Sequence, residues 1–500
     1  MPYAPKSARR YVGLSLLFLL AAAFAAIAWA APGAGGGHAE APLRYVTDGM
    51  TTAEHLQQQA DLSRRLTAEL PAGGMQREVR IRLTPEESAA IDRAARSSVP
   101  LKIGLVKAMA PGIELYGLSR EPGDRQPSRG ASGLASRTPD GSFAWAARIT
   151  TENAGAIRLH IEDMSLPRTA ELYLYSADGQ AFGPYRGNGR NGTGEFWTET
   201  IFASEAILQL NIAGPVSDQE LREVSFRVLE AGLITPSFAG NFEITPQAPP
   251  PPGWPCGNAA CIEDATCQSG TLANTLKLAV AKMEWIQGAF IYTCTGGNIS
   301  DNNPSQSNFF LTANHCVSKN NAAQNVNFYW RFATSTCDGS SCPNNAGWPY
   351  QTSGSTVSKT GRKGDFTLLH LNAAPPAGSA ILGWTSAPVA NTNGADLFRV
   401  SNPNFGPQVY STHDVDTSAP TCSGWPRGER IYSRDTFGAI DGGSSGSPIV
   451  NAASQIVGQL SGTCGSNPSQ VCSSGPGEAN ATVDGAFAFY YATVQPVLNP

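Results

Sequence analysis

The chain has 500 residues, a formal net charge of −5 and 15% charged side chains. Its length exceeds what one ordinary hydrophobic core occupies and predicts about two to four domains. The acidic balance leaves no basic footprint for nucleic acid, so no nucleic-acid partner is expected. Few charges together with 52 glycines are typical of an exported, loop-rich β protein.

The N-terminal residues have the organisation of a secretory signal peptide. Lys6, Arg9 and Arg10 precede the apolar run YVGLSLLFLLAAAFAAIAWA, which ends in the small-residue site Ala28-Trp29-Ala30. The alternative is an uncleaved anchor, because the run is long enough to span a bilayer. Gly and Pro follow at once and favour cleavage. Residues 1–30 are therefore predicted to be removed from a secreted, extracellular protein with no stable membrane association.

Residues 31–99 are predicted to be a disordered and helical segment. Residues 32–42 are rich in Gly and Ala and indicate disorder, whereas residues 51–70 are polar with helical spacing. The motif TPEES then predicts a helix start, with Thr84 as N-cap, Pro85 at the first helical position and Glu87 at the third.

Residues 100–240 change to short alternating or apolar runs that turn residues separate. AWAARITT, AIRLHIED, ELYLYSA, EAILQLNIA and VSFRVLEA are of this kind. This pattern predicts a β-sandwich-like domain. It contains no pair of nucleophile and base, and His160 is interpreted as an ordinary strand residue.

A Pro-rich stretch over residues 241–255 predicts an extended linker. All ten cysteines lie beyond it, from Cys256 to Cys472. An even number of cysteines in an exported domain predicts disulfides rather than a metal site, so no metal and no cofactor are expected. Residues 256–500 continue as short β runs and predict an all-β barrel domain.

Three motifs in this last domain carry candidate chemistry. His315 follows the apolar run in NFFLTANHCVS, Asp365 begins the strand in KGDFTLLHL, and DGGSSGSPIV contains three serines. A buried acid beside a histidine can hold one imidazole tautomer and stabilise the imidazolium. The other two histidines of the domain are interpreted as structural (His370) and as a loop residue (His413). The order His, Asp, Ser is that of chymotrypsin and differs from that of subtilisin and of the α/β-hydrolases.

Taken together, T-A-x-H-C, D-F-T-L-L and G-x-S-G-S-P resemble the trypsin/chymotrypsin family. FFLTANHC, FYWRFATSTC, GDFTLLHLN, GSSGSPI and VGQLSG are most similar to the secreted bacterial lysyl endopeptidases. The resemblance implies a mainly β chain whose C-terminal half is a two-barrel antiparallel protease domain, with a long N-terminal propeptide.

The resemblance also implies a role for particular residues. His315 corresponds to the general base, Asp365 to its orienting acid and Ser445 to the nucleophile, while the backbone N–H groups of Gly443 and Ser445 correspond to the oxyanion hole. Ser461 corresponds to the edge segment that pairs with substrate. The implied disulfides are Cys294–Cys316 and Cys267–Cys337, with Cys261 bonded to Cys464 or Cys472.

The sequence departs from animal trypsins at two places. Ser444 replaces the acid that captures a new N-terminus, so control of activation is expected to lie in a propeptide. Ala439 replaces the acid of the trypsin pocket, and Thr482 stands where the lysyl endopeptidases carry theirs, but Asp484 lies just before Gly485. Asp484 is therefore a candidate substrate-binding acid. Asp441 is interpreted as solvated, with a place in the lining of the specificity pocket as the alternative.

The leading hypothesis is a secreted, monomeric serine endopeptidase made as a preproprotein, with proteins or peptides and its own propeptide as partners. Cleavage after Lys or Arg is expected. No Lys or Arg lies between Arg227 and Lys277 to permit self-cleavage at the linker. Either another protease matures the chain, or it is trimmed only after Arg227, or its P1 preference is not basic. A further alternative is an inactive secreted protein that binds partners through residues 100–236.

Overall fold

The computed structural model describes residues 38–70, 78–95, 97–117, 134–137, 140–239, 259–303, 306–337 and 349–500. For residues 134–137 it describes the backbone alone. The predicted signal peptide and Pro-rich linker lie outside these ranges, as do Cys256 and Cys342. Residues 39–500 form one compact unit.

The N-terminal half contains twelve strands and four helices among the described residues. In chain order they are β1 (Glu40–Ala41), β2 (Arg44–Tyr45), α1 (Thr52–Ala68), β3 (Glu78–Arg82), α2 (Pro85–Ala95), β4 (Leu101–Tyr116), β5 (Leu134–Arg137), β6 (Phe143–Glu152), β7 (Ala156–Ser165), β8 (Ala170–Tyr175), β9 (Ala181–Tyr185), β10 (Phe196–Trp197), β11 (Glu205–Ile212), α3 (Asp218–Glu223), β12 (Ser225–Ile234) and α4 (Pro236–Ala239).

The C-terminal half is again mainly β. Its elements are β13 (Glu263–Asp264), α5 (Thr271–Ala279), β14 (Val280–Gln287), β15 (Phe290–Ile299), β16 (Phe309–Ala313), α6 (Asn320–Ala323), β17 (Asn327–Trp330), β18 (Tyr350–Ser353), β19 (Ser355–Gly361), β20 (Phe366–Leu371), β21 (Ala380–Ile381), β22 (Gly383–Thr385), β23 (Asp396–Ser401), β24 (Val409–Val415), β25 (Arg430–Phe437), β26 (Pro448–Val450), β27 (Gln455–Gly465), β28 (Asn480–Ala486) and α7 (Phe487–Leu498).

Two sheets in the N-terminal half form the expected β-sandwich. One has the order β3-β6-β11-β8-β9 with β5 on β6, and the other runs β10-β7-β12-β4. Their facing side chains share one core, in which Trp145, Leu208 and Phe226 are fully or almost fully buried. The helix predicted at TPEES is α2, and Thr84 and Glu87 exchange side-chain to backbone hydrogen bonds at its start.

The C-terminal half has the two-barrel architecture that the resemblance implies. The second barrel closes in the order β27-β26-β23-β24-β25-β28, since β28 pairs again with β27. The first is a half-barrel in which strands β18-β17-β14-β15-β16-β20-β19 are hydrogen-bonded in that order. The mainly β, two-barrel prediction is thus confirmed. Among the described residues, no helix is both long and apolar enough to cross a membrane.

The sandwich and the first barrel share one continuous sheet, because β4 pairs antiparallel with β15. Residues 40–45 also join the C-terminal half: β1 pairs with β22 and β2 with β21. The expectation of disorder is therefore wrong for residues 40–42. Composition suggested disorder there, but backbone pairing with distant strands and burial of Ala41 at 3% exposure order this segment.

Candidate active site

A cleft of about 1150 Å³ lies against both barrels. The structure brings His315, Asp365, Ser445 and Ser461 together in its lining. These residues come from three separate regions of the protease half and are up to 146 positions apart, from 315 to 461. Long-range pairing of the strands therefore assembles the site.

Asp365 holds His315 at two points. One carboxylate oxygen, Oδ2, lies 2.8 Å from His315 Nδ1, and the other, Oδ1, accepts the backbone N–H of His315 at 3.0 Å. A carboxylate can only accept, so Nδ1 carries the proton and Nε2 presents its lone pair. His315 Nε2 is buried and has no hydrogen-bond partner within the described part of the chain. This imidazole is oriented to take a proton at Nε2.

The backbone at Asp365 is itself constrained. Its φ is +51°, a left-handed conformation that is uncommon for a residue with a side chain. Gln459 of β27 donates its amide to the carbonyl oxygens of Gly364 and Asp365 at 2.8 and 2.9 Å, and the hydroxyl of Tyr490 in α7 donates to Gln459. Burial raises the pKa of Tyr490 well above its ordinary value, which keeps this hydroxyl protonated. Sequence motifs did not identify Gln459 or Tyr490.

Two peptide groups in the loop that leads to Ser445 are held in place by hydrogen bonds to their carbonyl oxygens. They are the peptide groups between Gly442 and Gly443 and between Ser444 and Ser445. The carbonyl of Gly442 accepts from Asn404 N at 2.7 Å, and that of Ser444 accepts from Ser447 N at 3.1 Å. In a trans peptide the N–H points opposite to the C=O, so the N–H groups of Gly443 and Ser445 point away from these anchors. Neither N–H donates to another group in the described residues. Both N–H groups therefore remain available to an acceptor atom.

Glycine is required close to Ser445 for steric reasons. Gly443 has φ of +94°, and a Cβ there would lie 3.0 Å from Asn402 O. Gly446 has φ of +81°, and a Cβ there would lie only 2.2 Å from Thr312 Oγ1. The second contact belongs to the first barrel, so Gly446 lets the Ser445 loop approach the strand next to His315 closely.

Disulfides tie the site to its surroundings. Cys294 is bonded to Cys316, the neighbour of His315, and Cys267 is bonded to Cys337, as the resemblance implies. Cys261 is bonded to Cys472, one of its two open partners, while Cys464 pairs with Cys422. Thr295, next to Cys294, donates its hydroxyl to Gly443 O and its N–H to Ser445 O, each at 2.8 Å.

Ser461 lies on β27 in the cleft and is 4% exposed, with its hydroxyl buried and unpartnered among the described residues.

Asp484, the candidate substrate-binding acid, does not line the cleft. It is fully buried inside the second barrel, and its Oδ1 is 2.6 Å from Arg399 Nη2. Arg399 continues to the carbonyl and hydroxyl of Ser447 at 3.1 and 3.0 Å. Asp484 therefore lies outside the cleft lining, and its charge is neutralised by Arg399, which contacts the loop of Ser445 through Ser447.

The structure also gives the positions of two further polar residues. Asp441 lines the cleft, as its alternative interpretation has it, and accepts the side-chain amide of Asn404 at 2.9 Å. His413 is not in a loop: it is fully buried on β24, with Nδ1 2.8 Å from Asp435 Oδ1. The alternating run VYSTHDV was the signal that places it on a strand.

The N-terminal half supplies part of the cleft wall. Leu101 begins β4 opposite Thr293 of β15 and is 4% exposed. A Cβ built on Gly442 would lie 3.3 Å from Leu101 Cδ1, and one built on Gly443 would lie 3.5 Å from its Cδ2. The Leu101 side chain thus packs against the two glycines that precede Ser445.

A buried ion pair also joins the N-terminal and C-terminal halves. Arg158 of β7 and Glu284 of β14 are both fully buried, with Nη1 and Oε1 3.2 Å apart. Thr200 donates to both oxygens of Glu284 at 3.0 and 2.9 Å, and the Tyr329 hydroxyl donates to the same carboxylate. Burial lowers the pKa of Arg158, a shift that the charge of Glu284 opposes.

Comparison with known proteins shows what this chain is similar to. The family described as "Lysyl endopeptidase, C-terminal domain" matches residues 257–474. This part of the chain is a trypsin-like serine endopeptidase that is similar to the lysyl endopeptidases. The chain is also 26% identical to the lysyl endopeptidase of Pseudomonas aeruginosa over 392 residues, which are 75% of this chain and 77% of that protein.

Two solved structures are among those similar to part of this chain. The Rv3671c protease from M. tuberculosis in its active form is 18% identical, covers 49% of this chain and 92% of its own, and has a TM-score of 0.30. The HtrA-type protease AlgW with tripeptide is 15% identical, covers 46% of this chain and 64% of its own, and has a TM-score of 0.32.

Proposed function

We propose that the endopeptidase cleaves peptide bonds through Ser445, His315 and Asp365. Ser445 Oγ attacks the scissile carbonyl while His315 Nε2 takes its proton, and a covalent acyl-enzyme forms as the amine leaves with that proton. Water, activated by His315 in the same way, then attacks the acyl carbon and releases Ser445. The observation that carries the proposal is the two-point contact of Asp365 with His315 in the same cleft as Ser445.

The N–H groups of Gly443 and Ser445 stabilise the negative charge on the tetrahedral intermediate. Their anchored carbonyls support this role, since a preorganised donor needs no rearrangement when charge develops. Gln459 and Tyr490 act as positioning residues, because they hold the backbone of Asp365 without touching the cleft chemistry.

Replacement of Ser445 by alanine tests the nucleophile. Hydrolysis of casein by Ser445→Ala is expected to fall by about six orders of magnitude in kcat, as for loss of a triad nucleophile elsewhere. Ser444→Ala is the matched control, because Ser444 is fully buried and lies one residue away. Undiminished hydrolysis by Ser445→Ala would refute the role of Ser445 as the nucleophile, whereas absence of hydrolysis by the wild-type enzyme would favour the alternative of an inactive binding protein.

The N-terminal residues 31–240 serve as a propeptide that holds the endopeptidase inactive in the secreted precursor. Support comes from Leu101, which occupies the space beside Gly442 and Gly443 that an incoming substrate carbonyl must reach. The continuous β4–β15 sheet and the buried Arg158–Glu284 pair support a specific attachment rather than a loose tether. Four disulfides among the described residues are consistent with an exported protein.

N-terminal sequencing of enzyme isolated from culture medium tests this maturation. A start between residues 240 and 256 is expected. Active enzyme that still begins at residue 31 would contradict the propeptide role, and enzyme found only with membranes would contradict removal of residues 1–30.

A further inference from the structure

The lining of the cleft includes a buried arginine whose hydrogen-bond donors are only partly used. Arg430 begins β25 and is 3% exposed. Its Nη1 contacts Glu429, at 3.2 Å from Oε1 and 3.4 Å from the backbone oxygen. Its Nη2 lies 3.5 Å from Arg362 O, which is longer than an ordinary hydrogen bond, and its Nε has no partner among the described residues.

The unused donors of Arg430 lie on one edge of the guanidinium. Nε and Nη2 point in parallel from that edge, and together they match the two oxygens of a carboxylate. A guanidinium has five N–H donors and no acceptor, so a neighbouring group must supply the acceptors. This edge of Arg430 therefore suits a carboxylate that enters the cleft.

The charges around Arg430 also favour an anion. Arg362, three residues before Asp365, lines the same cleft and is exposed. Glu429 contacts Arg430 through Nη1 alone, on the side of the guanidinium away from Nε. The carboxylate of Asp365 is already used by His315. This end of the cleft thus combines two guanidinium groups with one carboxylate that touches them.

An aromatic ring fixes the position of Arg430. The guanidinium carbon lies 5.6 Å from the centroid of Trp425, which lines the cleft as well. A Cβ built on Gly462 would lie 3.7 Å from Trp425 Cη2, so the ring packs beside the residue that follows Ser461. A guanidinium held against an aromatic face is preorganised, since it loses little freedom when it binds.

The strand edge at Ser461 relates Arg430 to a position in the substrate. A peptide that adds to this edge as a strand has side chains that alternate between two sides. P1, the residue before the scissile bond, points beside Ser445 into the second barrel. P2, the residue before P1, then points toward the first barrel, where the loop of Asp365 lies. Arg430 approaches that loop through Arg362 O.

We infer that Arg430 is a specificity-determining residue that binds an acidic side chain, Asp or Glu, at P2 of the substrate. The inference rests on the proposed function of Ser445 and adds a substrate class to it. The P2 carboxylate accepts the N–H groups of Nε and Nη2. Trp425 and Glu429 are positioning residues, because they hold the guanidinium from its face and from its other edge.

The test uses two peptides that share the P1 residue cleaved fastest and differ only at P2, with glutamate or its uncharged isostere glutamine. The enzyme is isolated after expression of the full-length chain. The wild-type kcat/KM is expected to be at least about tenfold higher for glutamate, the lower end of what hydrogen bonds to a charged group contribute. Arg430→Met should bring this ratio close to one and change the glutamine value by less than about threefold.

Lys363→Met is the matched control, because Lys363 is an exposed cation next to Arg362 that does not line the cleft. It should retain the wild-type ratio. Arg430→Lys, which keeps the charge but loses the paired donors, replaces Arg430→Met if the latter does not fold, and it should lower the ratio at least threefold.

Several results would overturn the inference. They are equal cleavage of both peptides by the wild-type enzyme, a ratio that survives in the Arg430 variant, and a ratio that falls as far in Lys363→Met. An equal loss for both peptides in the Arg430 variant would indicate a merely structural role. Labelling of Ser445 by a fluorophosphonate in each case would show that the proposed function still stands.

Discussion

The Asp365 carboxylate accepts two hydrogen bonds from His315, one from the imidazole Nδ1 at 2.8 Å and one from the backbone N–H at 3.0 Å. One side chain thereby fixes both the tautomer of the imidazole and the course of the loop that carries it. The constraint has a conformational cost, since Asp365 itself adopts φ of +51°. Gln459 stabilises that conformation from the second barrel.

Asp365→Asn tests the two hydrogen bonds between Asp365 and His315. The amide can present its N–H₂ to Nδ1 and favour the wrong tautomer, so kcat for a peptide substrate is expected to fall by about four orders of magnitude with little change in folding. Steady-state kinetics and the thermal midpoint Tm of the mature enzyme measure the two effects. Asp396→Asn, an exposed acid on β23, should change neither. A drop of less than tenfold in kcat would contradict the orienting role.

Leu101→Asp tests whether the Leu101 side chain, packed against Gly442 and Gly443, restricts access to Ser445. Burying this side chain is worth about 2 kcal/mol, and a carboxylate in its place adds the cost of a buried charge. The uncleaved precursor of Leu101→Asp is expected to react with a fluorophosphonate at least tenfold faster than the wild-type precursor. Val99→Asp is the matched control, because Val99 is 71% exposed and lies two residues away. Equal labelling rates for both precursors would show that Leu101 does not restrict access.

Arg158→Met tests the ion pair between the halves. It leaves Glu284 buried without its cation, so the free energy of unfolding of the full-length Ser445→Ala protein is expected to fall by about 3–5 kcal/mol. Arg186→Met, which removes an exposed partner of Glu171, should cost less than about 1 kcal/mol. Urea denaturation measures both. The double variant Arg158→Met/Glu284→Gln should recover part of the loss, and no recovery would contradict direct pairing.

His55 makes the contact of helix α1 with the first barrel sensitive to pH. Its ring stacks on Tyr350 with centroids 4.0 Å apart, and burial lowers its pKa below 6.5, a shift that the charge of Glu199 opposes. The folded chain therefore binds fewer protons at this site than the unfolded chain, so stability falls as pH drops below about 6.5. His55→Phe keeps the stacking and should flatten this dependence of Tm between pH 7.5 and 5. His370→Gln, an exposed histidine, should not.

Local motifs predicted much of the fold and the residues of the candidate site. TPEES, the alternating runs and the three motifs around His315, Asp365 and Ser445 depend on residues a few positions apart, and such patterns can be interpreted from sequence. The partner of Asp484 could not be predicted from sequence. Arg399 lies 85 residues away and contacts Asp484 only when the second barrel has closed. The same holds for β1, which is ordered by pairing with β22, and for Leu101, whose neighbour Gly442 is 341 residues away.

Mapping of a fluorophosphonate adduct on the mature enzyme tests the central claim most directly. Peptide fragmentation of the labelled DGGSSGSPIV segment distinguishes Ser444, Ser445 and Ser447. A single adduct on Ser445, absent when His315 is replaced by alanine, is the predicted result. An adduct on another serine, or no adduct on an enzyme that hydrolyses casein, would contradict the assignment of Ser445 as the nucleophile.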